Sequence, residues 1–206
     1  MGLNMNDWPF GLLGAGRHGV IYADPPWAYE TWSRGDVVPQ RTTIEQHYET
    51  MTVERMADEL PVHKLAAPDC ALFMWTTSSH TPQAFWLARR WGFRYASKAF
   101  TWAKLNKHAA RDQKQCDDET AFFMGMGHGT RRQTEDCYLF TRGKPKRRDA
   151  GVRELIVSPI REHSRKPDEA YSSIERLFDG PYCELFSRNT RKGWSSWGNE
   201  VGKFIE

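Results

Sequence analysis

Cysteine is scarce in this chain of 206 residues, and its four copies (Cys70, Cys116, Cys137, Cys183) stand far apart with no close pair. Neither a zinc site nor a disulfide framework fits that spacing, so reduced thiols and no bound metal are expected. Long apolar runs are missing too. The cleanest are strand-sized and no signal peptide is legible, so a cytoplasmic protein without a membrane partner is expected. Internal repeats and low-complexity tracts are also missing, which argues against a repeat array. Charge of one sign is not in excess. The net charge of +3 permits a polyanionic partner without requiring one. What the chain does carry is tryptophan, nine copies, and aromatics beyond the needs of a core often form stacking surfaces. The length suits one domain with a sizeable core.

The most informative stretch is Val20-Ile21-Tyr22-Ala23-Asp24-Pro25-Pro26-Trp27-Ala28-Tyr29. An apolar run from Gly19 to Ala23 reads as a short buried strand. It ends at an acid, and two prolines then forbid a continued ladder or an immediate helix. Asp24 is therefore expected on a stiff elbow at a strand's carboxyl end, the edge where open α/β sheets bind ligands. An exocyclic nucleobase amine is a poor nucleophile because its lone pair is delocalised into the ring. The Asp24 carboxylate suits one amine hydrogen, and the Pro25 carbonyl, aimed by Pro26, suits the other. The nitrogen then becomes pyramidal and its lone pair can attack a methyl electrophile. Trp27, with Tyr29 as a second candidate, offers a flat face for an extruded base. A proline-rich turn with Trp27 in the core is the structural alternative.

Residues 1–17 read as an N-terminal segment carrying Trp8-Pro9-Phe10-Gly11. Residues 30–47 are polar and aperiodic, a candidate substrate loop in which Trp32, Arg34 and Arg41 suit phosphate and base. Thr52 caps an expected helix over Val53–Leu60, with Arg55 where a capping box wants an acid. A buried strand over Ala71–Trp75 runs into the polar Thr76-Thr77-Ser78-Ser79-His80. Pro82 opens a helix over Gln83–Trp91, closed by Gly92. Aromatic–polar alternation predicts a strand over Phe93–Lys104, and the charged residues 105–121 form a second candidate loop. Gly125, Gly127 and Gly129 tempt a dinucleotide-binding reading, but a strand over Asp136–Thr141 follows where a helix is required. Arg142 to Arg148 is the densest basic run. Within the candidate loop 142–153, Lys144, Lys146, Arg147 and Arg148 suit either a solvated face or phosphate contacts. A helix over Ala170–Phe178 and a strand over Cys183–Arg188 follow. Strand–helix alternation implies an α/β fold with a mostly parallel, doubly wound sheet.

Asp24-Pro25-Pro26-Trp27 resembles the catalytic signature of amino-group methyltransferases that use S-adenosylmethionine. The Trp form is that of the family of the eukaryotic mRNA adenosine methyltransferase catalytic subunit and its compact bacterial and phage relatives. The likeness runs from about Trp8 to Val201. It takes in His47-Tyr48-x-Thr-Met, Trp75-Thr-Thr, Gly-x-Gly…Glu135-x-Cys137, and Ser164-Arg165-Lys166-Pro167-Asp168-Glu169. Glu184-Leu185-Phe186-x-Arg188 and Gly193-Trp194-x-x-Trp197-Gly198-Asn199 complete it, all in order.

The resemblance implies a single Rossmann-like domain, permuted so that the catalytic motif precedes the cofactor motif, with S-adenosyl-L-methionine as cofactor. It implies methylation of the N6 amine of adenine, with DNA as the expected partner because the chain is compact like the prokaryotic and phage DNA enzymes. RNA adenine, cytosine's amine, or a catalytically silent nucleic-acid-binding partner are the alternatives; silent copies typically lose the acid or the lysine, and both Asp24 and Lys166 are present. For the cofactor it points to Asp24 and to Lys166 as a point charge for the methionyl carboxylate. It points also to Arg188, Asn199 and Glu200 for ribose and adenine, and to Glu184 paired with a nearby base. Glu135 carries over as a structural or pocket acid, with Arg131 or Arg132 as its alternative partner. Backbone contacts from Asp7 to Phe10 are expected near the adenine. Arg191 departs from the Asn of the eukaryotic members.

Overall fold

The computed structural model describes residues 8–28, 50–109, 119–127, 129–162, 165–202 and 204–205. Asp7, Tyr29, Trp32, Arg34, Arg41, His47 and Tyr48 lie outside them.

In chain order the elements are β1 (His18–Ala23), α1 (Val53–Glu59), β2 (Ala66–Thr76), α2 (Thr81–Arg90), β3 (Arg94–Leu105) and β4 (Thr134–Arg142). They continue with β5 (Leu155–Pro159), α3 (Asp168–Leu177), β6 (Tyr182–Leu185), β7 (Asn189–Thr190), β8 (Trp194–Trp197) and β9 (Phe204–Ile205). Thr52 caps α1 by accepting the Arg55 N–H at 3.3 Å, and Gly92 closes α2 at φ 82°.

The main sheet has the order β5-β3-β4-β2-β1-β6-β8. Among its seven strands only β4 runs antiparallel to its neighbours. β1 is parallel to both β2 and β6, which explains why its sequence is apolar on successive residues rather than alternate ones. Ile21 and Ala23 join Met56 of α1 and Leu87 of α2 in one core. Val20 and Tyr22 join Tyr171 and Ile174 of α3 in a second core on the opposite face. Helices thus cover both faces, as the alternation of elements requires. Among the described residues, no helix is long and apolar enough to cross a membrane.

Three details differ from expectation. β5 and β8 were not anticipated: β5 exposes Leu155 and Val157 at the sheet edge, and Trp-Ser-Ser-Trp carries no apolar run. β6 stops at Leu185 because Phe186 turns into the left-handed region at φ 60°, strain of order 1–2 kcal/mol for a bulky residue.

The third detail is a correction of position. Because β4 is reversed, Glu135 lies at the sheet edge of Asp24, while Arg142 pairs with Cys70 at the other edge, about 24 Å away at some 3.4 Å per residue. The basic run follows Arg142. The Lys144 N–H donates to Asp69 at 2.7 Å, and Arg148 pairs with Asp179 beyond the end of α3. Lys144, Lys146, Arg147 and Arg148 therefore do not border the site.

Candidate active site

The chain leaves β1 towards β2 on one side and returns with β6 on the other, so a crevice opens at the carboxyl ends of β1, β6 and β8. Three exit loops meet there: Asp24-Pro25-Pro26 after β1, Phe186-Ser187-Arg188 after β6, and Gly198-Asn199-Glu200 after β8. They line a cavity of about 540 Å³, whose apolar walls include Pro9, Phe186 and Trp197. That size falls within the range of small-molecule sites, roughly 300–1,000 Å³. The Trp197 indole N–H donates to the Pro9 carbonyl at 2.8 Å and pins the N-terminal segment to the wall. Gly198 is needed where two loops cross, since a β-carbon there would press on the Ser187 backbone.

Asp24 is held from behind. Its Oδ2 accepts from Lys166 Nζ at 2.6 Å, Lys166 also reaches Glu135 Oε1 at 3.2 Å, and Glu135 Oε2 accepts from Lys104 Nζ at 2.6 Å. Two cations and two carboxylates alternate, so the buried charge is compensated along the row. Burial by itself works against both central ions. It is outweighed for Lys166 by Asp24 and Glu135, which raise its pKa, and for Glu135 by Lys166 and Lys104, which hold it at about 2. Glu135 is thus a structural acid in the row behind Asp24, and its partners are two lysines rather than Arg131 or Arg132.

The elbow itself is braced. The Trp27 N–H donates to the Pro25 carbonyl at 2.9 Å, which leaves that oxygen a second lone pair. The Trp27 side chain is 5% exposed, its indole N–H donates to the Trp75 carbonyl at 3.3 Å, and its ring stacks on His80 at 5.6 Å. Trp27 is therefore core rather than an open face for a base, because both its polar atom and its ring find partners beneath the elbow. His80 Nε2 donates in turn to the Ala28 carbonyl at 3.1 Å.

Glu184 also departs from expectation. Among the described residues it forms no ion pair with a base; the Tyr171 hydroxyl donates to its Oε1 at 2.9 Å. Burial pushes the Glu184 carboxyl up to about 7, with Tyr171 and Ser187 pulling it down and Asp24 pushing it further up. Between pH 4.5 and about 7 the folded chain then binds more protons than the unfolded one. Stability from this group is complete below that window and falls as pH rises through it, by up to about 1.4 kcal/mol per pH unit. Glu184→Gln should flatten this fall. Denaturation midpoints measured from about pH 5 to 8 test it, and parallel profiles for the two proteins would refute it.

Of the residues singled out in the sequence, Asp24, Pro25, Pro26, Arg188, Asn199 and Glu200 line the cavity together, with Pro9 of the N-terminal segment. Lys166 and Glu184 stand one layer behind. Arg191 turns away to Glu175 at 3.0 Å. Lys104 and His80 were missed as site residues. Lys104 had a signal, a charge closing an alternating strand, whereas His80 had none beyond a polar run after β2. Among the described residues, no group of three or more His, Cys, Asp or Glu is placed to hold a metal ion.

A family model described as MT-A70 matches residues 18–200. The chain is 31% identical to the type II methyltransferase M.MunI of a Mycoplasma species, over 97% of this chain and 84% of that protein. It is 29% identical to the human N(6)-adenine-specific methyltransferase METTL4, over 90% of this chain and 38% of that one. It is 29% identical to the human N(6)-adenosine-methyltransferase catalytic subunit METTL3, over 90% of this chain and 28% of that one. The chain thus spans most of the first relative and well under half of the other two.

Proposed function

This chain belongs to the MT-A70 family, and from that premise we propose that it methylates the N6 amine of adenine in DNA, with S-adenosylmethionine as methyl donor. One observation carries the reading: a carboxylate and a proline carbonyl on a braced elbow share a ligand-sized cavity with the polar exit loops of two neighbouring strands. The donor set suits the cofactor. Arg188, Asn199 and Glu200 offer donors and acceptors for ribose and adenine, Pro9, Phe186 and Trp197 offer apolar walls, and Asp24 lines the same cavity. Lys166 lies behind Asp24, within reach of a methionyl carboxylate only if its own contacts shift. When bound, S-adenosylmethionine supplies an electrophilic methyl group.

The chain's residues do the rest. Lys166 grips Oδ2 and so fixes the plane of the Asp24 carboxylate. Asp24 accepts one amine hydrogen and the second lone pair of the Pro25 carbonyl accepts the other, which localises the amine's lone pair toward the methyl group. Pro25 and Pro26, rather than Trp27, present the apolar surface nearest the amine. Asp24 remains a hydrogen-bond acceptor, and the cationic methylated nitrogen then gives up its surplus proton to solvent water.

The test is to incubate the protein with radiolabelled S-adenosylmethionine and DNA, RNA or neither, then to digest and identify the labelled nucleoside. N6-methyldeoxyadenosine is expected. Label confined to RNA adenosine or to a cytosine amine would redirect the reading, and no label would sink it.

A further inference from the structure

Before β4, residues 122–127 and 129–133 run as the two legs of a hairpin attached to the end of β3 that carries Lys104. Its legs are tied to the end of β3: Phe123 N–H donates to the Lys104 carbonyl at 2.8 Å, and Lys104 N–H to the Gln133 carbonyl at 2.9 Å. Farther out, Gly125 and Arg132 exchange backbone bonds at 2.8 and 3.3 Å. The Arg131 guanidinium braces the hairpin from its side, donating to the Gly125 and Met124 carbonyls at 2.8 and 3.4 Å. Gly127 is demanded by the turn, since a β-carbon there would collide with the Thr130 carbonyl oxygen. The described legs of the hairpin are thus braced against each other and against β3.

What it holds out is apolar. Met124 is 60% exposed and Met126 is 84% exposed. Single exposed apolar residues are ordinary, but these two share one braced projection rooted at Lys104 and Glu135 of the site. Arg131 and Arg132 on the same hairpin, with Lys107 on the turn after β3, supply positive charge at this edge. The catalytic acid is recessed, Asp24 being 22% exposed and its neighbour Lys166 5%. An adenine inside a duplex can meet Asp24 only by leaving the stack, and the gap it leaves is costly unless an apolar side chain fills it. Unbranched methionine suits that task.

We propose that the hairpin is a wedge: Met126, with Met124 beside it, enters the base stack of a DNA duplex as the target adenine is extruded toward Asp24. The proposal rests on the adenine-methylating reading above and extends it to a double-stranded substrate. Lys107, Arg131 and Arg132 then face the phosphates on either side of the wedge.

The test compares methyl transfer to random-sequence DNA offered as matched duplex and as single strands. Met126→Ser is expected to lose about tenfold or more in kcat/KM on duplex, since a polar serine fills the gap left by the extruded base poorly. It should keep single-strand transfer within about twofold, because an unstacked base needs no wedge. Met126→Leu, apolar and of similar size, should restore duplex transfer. Equal losses on both substrates, no loss on either, or a native chain active only on single strands would overturn the wedge while leaving adenine methylation standing. A native chain that labels neither substrate would overturn both. Because Met126 is on the surface, the melting temperature should be unchanged in every variant.

Discussion

Asp24→Ala is expected to lower methyl transfer by at least about a thousand-fold while the chain stays folded. Two effects combine. The amine loses the acceptor that localises its lone pair, and deleting a positioned electrostatic or proton-accepting group typically costs 10²–10⁴-fold, roughly. Lys166 also loses its 2.6 Å contact to Asp24, while the longer one to Glu135, at 3.2 Å, remains. Asp24→Asn separates the two. Its amide oxygen still accepts one amine hydrogen, so its activity should lie between wild type and alanine. Initial rates with labelled donor, alongside calorimetric titration of S-adenosylmethionine, check this. An alanine variant within tenfold of wild type would remove the elbow from the chemistry.

Lys166→Met should show the largest loss of stability. The side chain is 5% exposed and its ammonium lies between two carboxylates. Methionine keeps the stem but leaves Asp24 and Glu135 facing a vacated cation site. Breaking a buried pair from one side costs about 3–5 kcal/mol, so the melting temperature should fall by on the order of 10 °C for a chain of this size. The pH dependence identifies the cause. In the wild type Glu135 is held at about 2, below its ordinary 4.5, so its contribution is complete above 4.5 and is lost as pH falls through the folded value. The variant lacks the Lys166 share of that contribution while Lys104 keeps its own, so its deficit should be widest near neutrality and shrink in acid. A variant as stable as wild type near pH 7.5 would show that the row of charges is not what holds this edge together.

Much of this architecture was legible from local pattern. The apolar run into Asp24-Pro25-Pro26 specified a buried strand and a stiff exit, because proline's lost N–H and fixed φ act wherever the chain folds. The cap at Thr52, the stop at Gly92 and the helices over α1, α2 and α3 came from equally local chemistry. The short strands β5 and β8 did not. β8 has no apolar run, and it exists because β6 offers an open parallel edge for Trp194 to Trp197.

The sequence alone determined the chemistry available here: a carboxylate on a proline elbow, a lysine before a helix, and polar loops after two strands. Only the tertiary structure decided which of these groups meet. The reversal of β4 carried Glu135 to Lys166 and Lys104, and sent the basic run from Lys144 to Arg148 to the far edge. Trp27 went to the core because His80 and the Trp75 carbonyl, some fifty residues along the chain, were there to receive it. The reason is general: strand direction and cross-chain partners are non-local, so a charge or a ring carries no mark in the sequence of which edge it will occupy.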